Sequence, residues 1–583
     1  MNIGGTRAMR EPILKVSDLT YYYQGQDDAA LKDVNLEVFP GEFVLLIGPS
    51  GCGKTTLALT LNGIIPTVLG GRIKGRVYVD GIDTRESTVH ELSTEIGVVF
   101  QDPESQLCNL YVEEEVAFGP SNLMLDRADV ERRVEKALAD VGQHDIRQKL
   151  IYEISGGQKQ RVAIASVLAM EPDVLVFDEP TANLDPLGAV EIFELIKEIN
   201  QRSGATVVVI EHNVDGVMRY ADRLVVMQAG RITHDQGPRE LMRDQGRFVL
   251  DELGLRVPQV CELGIRMEEK GLRFDPFPLD SAEAAHALGT RSERFALRNP
   301  DEPRRERPTQ RESVISLQGV GFCYPDGTQA VKDVSLDVDR GEVVAIIGEN
   351  GSGKTTLSSL LVGLHRPTSG EGTVCGLDLN QASLRQLTSK VGYVFQYPEH
   401  QFVESTVYDE VAFGLRAQKR PTDEVASRVA DALQLLRLED MADKHPLALS
   451  MGQKRRLSVA TMLILDTEIV ILDEPTTGQD RESMDNLMRI IMEARERGTT
   501  VILITHDMNL VAKYCDKVAV MDEGEIVFYG RAIDLCRDLS IIRSDCLVLP
   551  EVYKLAQILR ERQGMHIGEF LTVEDFVSAV EVR

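Results

Sequence analysis

Two stretches decide the fold of this chain, GPSGCGKTT at residues 48–56 and GENGSGKTT at residues 348–356. Both match the pattern G-x-x-x-x-G-K-[ST] of a phosphate-binding loop. An apolar run precedes each loop, FVLLIG in one case and VVAIIG in the other, and predicts a buried strand. Successive backbone N–H groups of such a loop surround phosphate oxygens at the positive end of the following helix. The chain is therefore expected to bind nucleotide twice.

Later motifs follow both loops in the same order and at nearly constant offsets. The offset is 300 residues between Lys54 and Lys354 and 295 residues between Glu179 and Glu474. Such regularity predicts one α/β unit used twice. We predict a first domain at 12–245 with a tail at 246–275, a linker at 276–312, a second domain at 313–535 and a second tail at 536–583. Each tail contains a Pro followed by apolar residues at helical spacing, which predicts a helix.

The amino-acid composition limits the classes of function that the chain can have. Of 583 residues 43% are apolar, enough for packed cores, and 92 acidic against 64 basic residues give a net charge of −28. This charge argues against binding to duplex nucleic acid. No apolar run reaches the ~18–20 residues that span a bilayer, and the N-terminus lacks an apolar signal region. A cytosolic protein is expected, with any membrane role exerted through a partner. The eight cysteines form no C-x-x-C pair, so reduced thiols are expected.

The segment RNPDEPRRERPTQRES (298–313) is rich in Pro and charge and predicts an exposed linker. A basic arm for nucleic acid is the alternative interpretation, but four acidic residues dilute the arginines. These are Asp301, Glu302, Glu306 and Glu312.

The catalytic chemistry needs a lysine for the β- and γ-phosphates, a hydroxyl for Mg²⁺, and carboxylates. The first two are predicted to be Lys54 and Thr55 in one repeat and Lys354 and Thr355 in the other. The carboxylates follow two apolar runs, VLVFDEP (174–180) and IVILDEP (469–475). Asp178 and Asp473 are predicted in the Mg²⁺ shell. Glu179 and Glu474, one residue later, are predicted to take a proton from the attacking water; a solvated strand end is the alternative.

Two further motifs, SGGQ at 155–158 and SMGQ at 450–453, each precede a basic, helix-like stretch. Ser and Gly at a helix N-terminus form an anion site. With these motifs the chain resembles the ATP-binding cassette (ABC) ATPases, and SGGQ and SMGQ resemble their signature. The resemblance implies two tandem α/β cassettes, each with a helical signature subdomain, facing each other head to tail. It pairs Lys54 with Ser450 and Gly452, and Lys354 with Ser155 and Gly157.

Other positions are similar to landmarks of the same family. Gln101 and Gln396 resemble the glutamine that touches Mg²⁺ and water, and His212 and His506 resemble the switch histidine at the γ-phosphate. Tyr23 and Tyr324 resemble the aromatic residue stacked on adenine, with Tyr21 and Tyr22 as alternatives. Asp185 and Asp480 fit the D-loop. The remaining ATP contacts implied are Gly48, Pro49, Ser50, Gly51, Cys52, Gly53, Thr56, Gly156, Gln158, Gly348, Glu349, Asn350, Gly351, Ser352, Gly353, Thr356 and Gln453.

Two departures from the family pattern lie in the second repeat. Met451 stands where the signature prefers Gly, and the D-loop reads TTGQD instead of a sequence like TANLD. Because signatures act across the interface, Met451 is expected to affect the site of Lys54. We therefore expect two hydrolytic sites of unequal speed.

The segments at 100–119 and 395–414 share the pattern FQ-x-P-x-x-Q…V-x-[DE]-E-V-A-F-G. This pattern resembles the ATPases of energy-coupling factor (ECF) importers for vitamins and metal ions. The resemblance implies ATP, Mg²⁺, a transmembrane coupling subunit, a small substrate-binding membrane subunit, and a peripheral place on the cytoplasmic face of the plasma membrane. The alternatives are the ATPase of a sugar-type importer and a soluble ABC protein acting on ribosomes or DNA.

Acidic residues in these segments suggest how a partner docks. Glu114 and Glu115 correspond to Asp409 and Glu410. We predict that they receive an arginine of a coupling helix through a charge-assisted pair. The alternative is a solvated helix N-terminus that favours acids through its dipole.

Overall fold

The computed structural model describes residues 11–182, 184–291, 293, 295–297, 312–475, 481–538, 540, 547–565 and 567–582. The chain divides between Ala287 and Leu288 into two compact units. None of the helices in the described ranges has the length and apolar character that crossing a membrane requires.

The first unit is built on two β-sheets. Its strands are β1 (Leu14–Tyr22), β2 (Leu31–Val38), β3 (Phe43–Ile47), β4 (Arg72–Val79), β5 (Ile82–Asp83), β6 (Ile96–Val99), β7 (Val174–Asp178), β8 (Thr206–Ile210), β9 (Arg223–Gln228) and β10 (Arg231–Gln236). An antiparallel sheet has the order β2-β1-β4-β5, and a six-stranded sheet has the order β10-β9-β3-β8-β7-β6. In the larger sheet only the β9–β10 pair is antiparallel.

Every residue of β3, β7 and β8 is buried. Such buried, predominantly apolar strands are typical of a parallel sheet covered on both faces. The carboxyl ends of these three neighbours meet at one edge, where the phosphate loop, the Asp-Glu pair and the switch histidine all follow.

The helices of the first part of the chain are α1 (Lys54–Leu61), α2 (Ile64–Thr67), α3 (Val89–Leu92), α4 (Pro103–Gln106), α5 (Val112–Asn122), α6 (Arg127–Asp140), α7 (Gly156–Leu168), α8 (Pro186–Ser203), α9 (Pro238–Arg247), α10 (Gln259–Glu269) and α11 (Ser281–Gly289). Buried side chains of α5, α6 and α7, among them Val116, Val134 and Val162, join one apolar core. These three helices form the helical subdomain that carries the SGGQ motif.

The second unit repeats this plan. Its strands are β11 (Phe295–Leu297), β12 (Ser313–Cys323), β13 (Gln329–Asp339), β14 (Val343–Gly348), β15 (Ser369–Val374), β16 (Leu377–Asp378), β17 (Val391–Val394), β18 (Ile469–Asp473), β19 (Thr500–Ile504), β20 (Lys517–Asp522), β21 (Glu525–Gly530) and β22 (Val580–Val582). The sheet orders β13-β12-β15-β16 and β17-β18-β19-β14-β20-β21 match those of the first unit.

The helices of the second unit follow the same sequence of roles. They are α12 (Lys354–Leu361), α13 (Leu384–Thr388), α14 (Val407–Ala417), α15 (Thr422–Leu435), α16 (Met451–Leu463), α17 (Arg481–Glu496), α18 (Met508–Tyr514), α19 (Ala532–Arg537), α20 (Glu551–Gln563) and α21 (Val573–Ala579). Helices α14, α15 and α16 share a core that includes Val411, Val429 and Leu457. The predicted fold class, two tandem α/β cassettes each with a helical subdomain, is confirmed.

The predicted linker at 276–312 starts too early. Helix α11 lies within it and packs Ala284, Ala285 and Leu288 into the protein. Glu283 accepts bonds from both terminal nitrogens of Arg239 at 2.6 and 2.7 Å. Strand β11, also in the predicted linker, pairs with β22. The alanine-rich sequence of α11 favours a helix. The prediction missed this helix because the neighbouring residues are rich in charge and proline.

Both predicted tail helices are present, and a proline stands at the N-cap of each. Pro258 precedes α10 and Pro550 precedes α20. The segment from 298 to 311, predicted to be exposed, lies outside the described residues.

Candidate functional site

The phosphate loops have the backbone that their glycines permit. Gly53 and Gly353 cap α1 and α12 with φ of 107° and 101°, in the left-handed region. A Cβ on Gly53 would lie 2.7 Å from the carbonyl oxygen of Ala30. Glycine is therefore required at this position for both conformation and space.

The two loop lysines are buried and point back over their loops. Nζ of Lys54 donates to the carbonyls of Gly48 at 2.8 Å and Pro49 at 3.2 Å. Nζ of Lys354 donates to Gly348 at 2.8 Å and to Glu349 at 2.6 Å. A cation held by neutral carbonyls can exchange them for phosphate oxygens, which form stronger, charge-assisted bonds.

In the first unit the predicted catalytic groups form one connected cluster. Oε1 of Glu179 lies 3.0 Å from Nε2 of His212, and its Oε2 accepts from Nε2 of Gln101 at 2.9 Å. Nε2 of His212 also lies 3.3 Å from Nζ of Lys54. The structure thus brings together the lysine, glutamine, glutamate and histidine that the sequence predicts.

Opposing effects set the pKa of each carboxyl. Burial would raise the pKa of Glu179, but the hydrogen bond with His212 and the charges of His212 and Lys54 lower it. Burial raises the pKa of Asp178 to about 6, helped by the charge of Glu179 and opposed by a hydrogen bond with Thr55. Glu179 is therefore ionised at neutral pH, as a proton acceptor must be.

The donor set fits Mg²⁺. The buried Oδ1 of Asp178 has no partner among the described residues, and the Thr55 hydroxyl bonds to the same carboxylate. A carboxylate and a hydroxyl are hard oxygen ligands of the kind that Mg²⁺ prefers, with water and phosphate completing the shell. Asp178 and Thr55 would hold the ion in the first unit, and Asp473 and Thr355 occupy the corresponding positions in the second.

The second unit arranges the same residue types differently. Nδ1 of His506 lies 2.9 Å from Oε1 of Glu474, whose Oε2 is buried without a partner among the described residues. The hydroxyl of Tyr393 donates to Oδ2 of Asp473 at 2.8 Å. Burial and the charge of Asp473 raise the pKa of Tyr393. The first unit has Val98 in place of this tyrosine.

The signature serines begin helices as predicted. Each closes a capping box: the N–H of Ser155 donates to Gln158, and that of Ser450 donates to Gln453, both at 3.0 Å. Met451 exposes 44% of its surface at the first position of α16. A Cβ on Gly156, at the corresponding position of α7, would meet nothing within 4 Å.

Two more groups of predicted residues can be placed. The hydroxyls of Tyr23 and Tyr324 lie 2.9 and 3.0 Å from those of Thr56 and Thr356, beside the phosphate loops. Asp185 caps α8 by accepting from the N–H of Gly188 at 2.8 Å. Asp480 lies outside the described residues.

The docking prediction is wrong for Glu115 and Glu410, because both are buried and already bonded. Oε2 of Glu115 accepts from the backbone of Cys108 and Asn109, and Oε2 of Glu410 from that of Val403 and Glu404, all within 2.9 Å. These carboxylates fix the chain just after the glutamine loops, the segments around Gln101 and Gln396. Asp409 is bonded to Arg416 at 2.9 Å and Thr406 at 2.7 Å, whereas Glu114 is exposed.

Sequence reasoning missed two buried ionisable residues near the reacting groups. Glu211 accepts from the N–H and hydroxyl of Thr181 and from the N–H of His212. Burial raises its pKa to about 8. Arg455 lies within α16. Aligning the repeats would have revealed both, since they correspond to Thr505 and Gln160.

The fold and the paired phosphate loops define a P-loop nucleotide-binding enzyme. A family model described as ABC transporter matches residues 31–182 and 331–477, and a second model, for an AAA domain, matches residues 445–512. The chain belongs to the ABC transporter ATP-binding family: it is an ABC-type ATPase with two cassettes in tandem.

Relatives extend over nearly the whole chain. A Methanosarcina mazei protein, provisionally named ABC transporter ATP-binding protein, is 39% identical, with 97% of each chain covered. A Bacillus subtilis protein, provisionally named HMP/thiamine import ATP-binding protein YkoD, is 36% identical over 93% of this chain and 96% of its own. Among solved structures, cbiO1 from Clostridium perfringens, described as part of the ABC transporter complex cbiONQ, is 38% identical over 44% of this chain and 99% of its own, with a TM-score of 0.38.

Proposed function

We propose that this ATPase powers an ECF-type importer from the cytoplasmic face of the plasma membrane. Its partners would be a transmembrane coupling subunit and a small membrane subunit that captures a vitamin or a metal ion. In this proposal the two cassettes close head to tail, so that Lys54 and Ser450 serve one ATP, and Lys354 and Ser155 serve the other. Asp178 with Thr55, and Asp473 with Thr355, would hold Mg²⁺, which would neutralise phosphate charge at each site.

The observation that carries the proposal is a set of exposed apolar side chains at matching positions of both units. Phe118 on α5 is 50% exposed, and Phe413 on α14 is 48% exposed. Tyr152 and Leu447, which also correspond, are 72% and 53% exposed. Large side chains left in water at repeated positions indicate a surface that a partner covers.

In the first unit Phe118 and Tyr152 lie on segments that are hydrogen-bonded to the one that follows Gln101. Residues 110–113 bond to the segment that leads to Tyr152, through Val112 to the carbonyl of Lys149 and through Ile151 to that of Leu110. The segment between Gln101 and α5 is fastened by Glu115. A partner seated on Phe118 and Tyr152 would thus press on the element that carries Gln101, which supports coupling of transport to hydrolysis.

Exposed Glu114 lies on the same helix as Phe118. A basic residue of the partner can pair with it next to the apolar contact. The sequence pattern shared by 100–119 and 395–414 supports the ECF subtype, and the name of the Bacillus subtilis relative makes a thiamine precursor the first cargo to test.

The proposal is tested by purifying the tagged chain from its own membranes in mild detergent and identifying its partners by mass spectrometry. The ECF assignment predicts one transmembrane coupling protein together with one small membrane protein. A pair of permease subunits instead would indicate another importer type. Ribosomal or DNA-repair proteins, with the chain recovered from the soluble fraction, would overturn the transport assignment.

A variant pair then tests the surface. Phe118→Asp combined with Phe413→Asp should abolish co-purification of the membrane partner while the isolated chain still hydrolyses ATP. Leu384→Asp, which changes a residue that is 48% exposed on α13, is the matched control and should retain the partner. Retention by the double Phe variant would rule out this surface.

A further inference from the structure

An arginine occupies the interior of the second unit beside its reacting groups. Arg455, on α16, is 1% exposed and is the largest fully buried side chain among the residues that the structure describes. Burial lowers its pKa to about 10, so it is still a cation at neutral pH. Buried cations are rare and need hydrogen-bond acceptors close by. Both terminal nitrogens of Arg455 have such acceptors, whereas its Nε has none among the described residues.

The guanidinium group binds main-chain carbonyl oxygens from two separate segments. Nη1 of Arg455 donates to Phe395 at 2.6 Å, and Nη2 donates to Gln396 at 2.6 Å and to Glu474 at 3.0 Å. Its planar fork therefore fixes the backbone of the glutamine loop relative to that of the proposed proton acceptor.

Both glutamates have a left-handed backbone, with φ of 50° at Glu179 and 44° at Glu474, a conformation that a non-glycine residue keeps only when its surroundings enforce it. The two units differ in the contacts that surround this residue. In the first unit Gln101 bonds directly to the carboxylate of Glu179 at 2.9 Å. Among the described residues of the second unit, Gln396 and Glu474 have no such side-chain bond, and the arginine connects them through the backbone instead.

The first unit provides a natural comparison at the same position. Gln160 stands 295 residues before Arg455, the same offset that separates Gln101 from Gln396 and Glu179 from Glu474. Gln160 is 2% exposed, and its Nε2 has no partner among the described residues. The neutral, shorter side chain of Gln160 does not form the backbone hydrogen bonds through which Arg455 joins two segments.

We propose that Arg455 is a positioning residue of the second ATP site, which holds Gln396 and Glu474 in the relative arrangement that hydrolysis requires. The inference rests on the roles proposed above for these two residues. It also predicts that the two sites differ in what controls their rate, since only the second depends on a cation within the signature helix.

The test uses the full chain with Glu179→Gln, so that turnover reports the second site. Into this background Arg455→Gln introduces the residue of the first repeat. We expect kcat to fall about 10- to 100-fold, the scale on which misplaced reacting groups cost rate, with KM for ATP within about twofold because binding groups are untouched. Arg455→Lys keeps the charge without the fork and should give an intermediate kcat.

A matched control is Gln160→Ala in the Glu474→Gln background, which should leave the turnover of the first site within about twofold, since no bond of its Nε2 is lost. Melting curves of each variant separate rate from folding. If Arg455→Gln keeps kcat within about twofold, or if kcat falls only in step with the folded fraction in both the Gln and Lys variants, the inference is overturned. Persistent turnover in the Glu179→Gln, Glu474→Gln double variant would instead refute the assigned glutamate roles.

Discussion

His212 places its Nε2 3.0 Å from Oε1 of Glu179. The contact holds the carboxylate ionised against the effect of burial, since the hydrogen bond and the charge of the ring both lower the pKa of Glu179. Replacing the ring should therefore raise the pKa of Glu179. In His212→Ala the acid limb of the profile of kcat/KM against pH should move to higher pH. The measurement is made with Glu474→Gln present, and an unmoved acid limb would contradict the role of this contact.

Removal of either glutamate should stop one site. Glu179→Gln and Glu474→Gln each eliminate a proton acceptor, and general-base catalysis contributes about 10²- to 10⁴-fold. Each single variant should keep the turnover of the other site, and the two residual rates should differ. The double variant should bind ATP yet hydrolyse almost none. Equal residual rates in a steady-state ATPase assay would refute the predicted inequality of the sites.

Met451 should slow the site that contains Lys54. Its side chain stands at the helix N-terminus where phosphate is expected to bind, and Gly156 leaves the corresponding space open. With Glu474→Gln present, Met451→Gly should raise kcat at least about threefold. The same change with Glu179→Gln present should have little effect. If the gain appeared there instead, the head-to-tail pairing would be wrong.

Glu211 should make the stability of the first unit depend on pH. Its pKa is about 8 in the folded protein against an ordinary value of 4.5, so the folded state binds the extra proton between these values. Its contribution is complete below pH 4.5 and is lost as pH rises through 8. Asp178 acts in the same direction at lower pH, because its folded pKa of about 6 is also raised.

The comparison that isolates Glu211 uses Glu211→Gln. Between pH 5 and 9 the melting temperature of the original chain should fall more than that of the variant, by ~2–4 °C for each kcal/mol lost. Scanning calorimetry at several pH values measures this difference. Parallel curves would show that Glu211 does not titrate in this range.

The buried carboxylates behind the glutamine loops should matter for folding. Glu410→Ala removes the acceptor for two backbone N–H groups, at a cost of about 1–3 kcal/mol for the donors left unpaired. Glu114→Ala, which changes an exposed carboxylate, should cost less than about 0.5 kcal/mol. Urea unfolding of both variants gives the comparison, and equal costs would mean that the bonds of Glu410 are not stabilising.

The sequence predicted those parts of the site that are formed by short segments. Local sequence determines the structure of three such segments: a phosphate loop, an apolar strand followed by Asp-Glu, and a Ser at a helix start. Each occurs where expected. The docking prediction was wrong for Glu115 and Glu410 because the sequence does not show whether a carboxylate faces water or accepts hydrogen bonds from its own backbone. Their burial depends on how α5 and α14 pack, which no local pattern specifies.

Arg455 was missed for a related reason. In the sequence it belongs to a basic, helix-like stretch in which nothing marks it as buried, and its partners are neutral carbonyl groups brought together by tertiary structure. The difference between Arg455 and Gln160 was visible in the aligned repeats, but only the contacts give it a meaning. Helix α11 was missed because its short, alanine-rich sequence stands beside a charged, proline-rich stretch.

The left-handed backbone at the two glutamates lowers the thermal stability of the protein, although glutamate is needed there for turnover. Glu179 has φ of 50° and Glu474 has φ of 44°, and such a conformation costs a residue with a Cβ ~1–3 kcal/mol. Glycine at either position would relieve that strain and remove the proton acceptor. A library selected only for survival at high temperature should therefore drift towards glycine or asparagine at 179 and 474, and one selected for transport should keep glutamate at both.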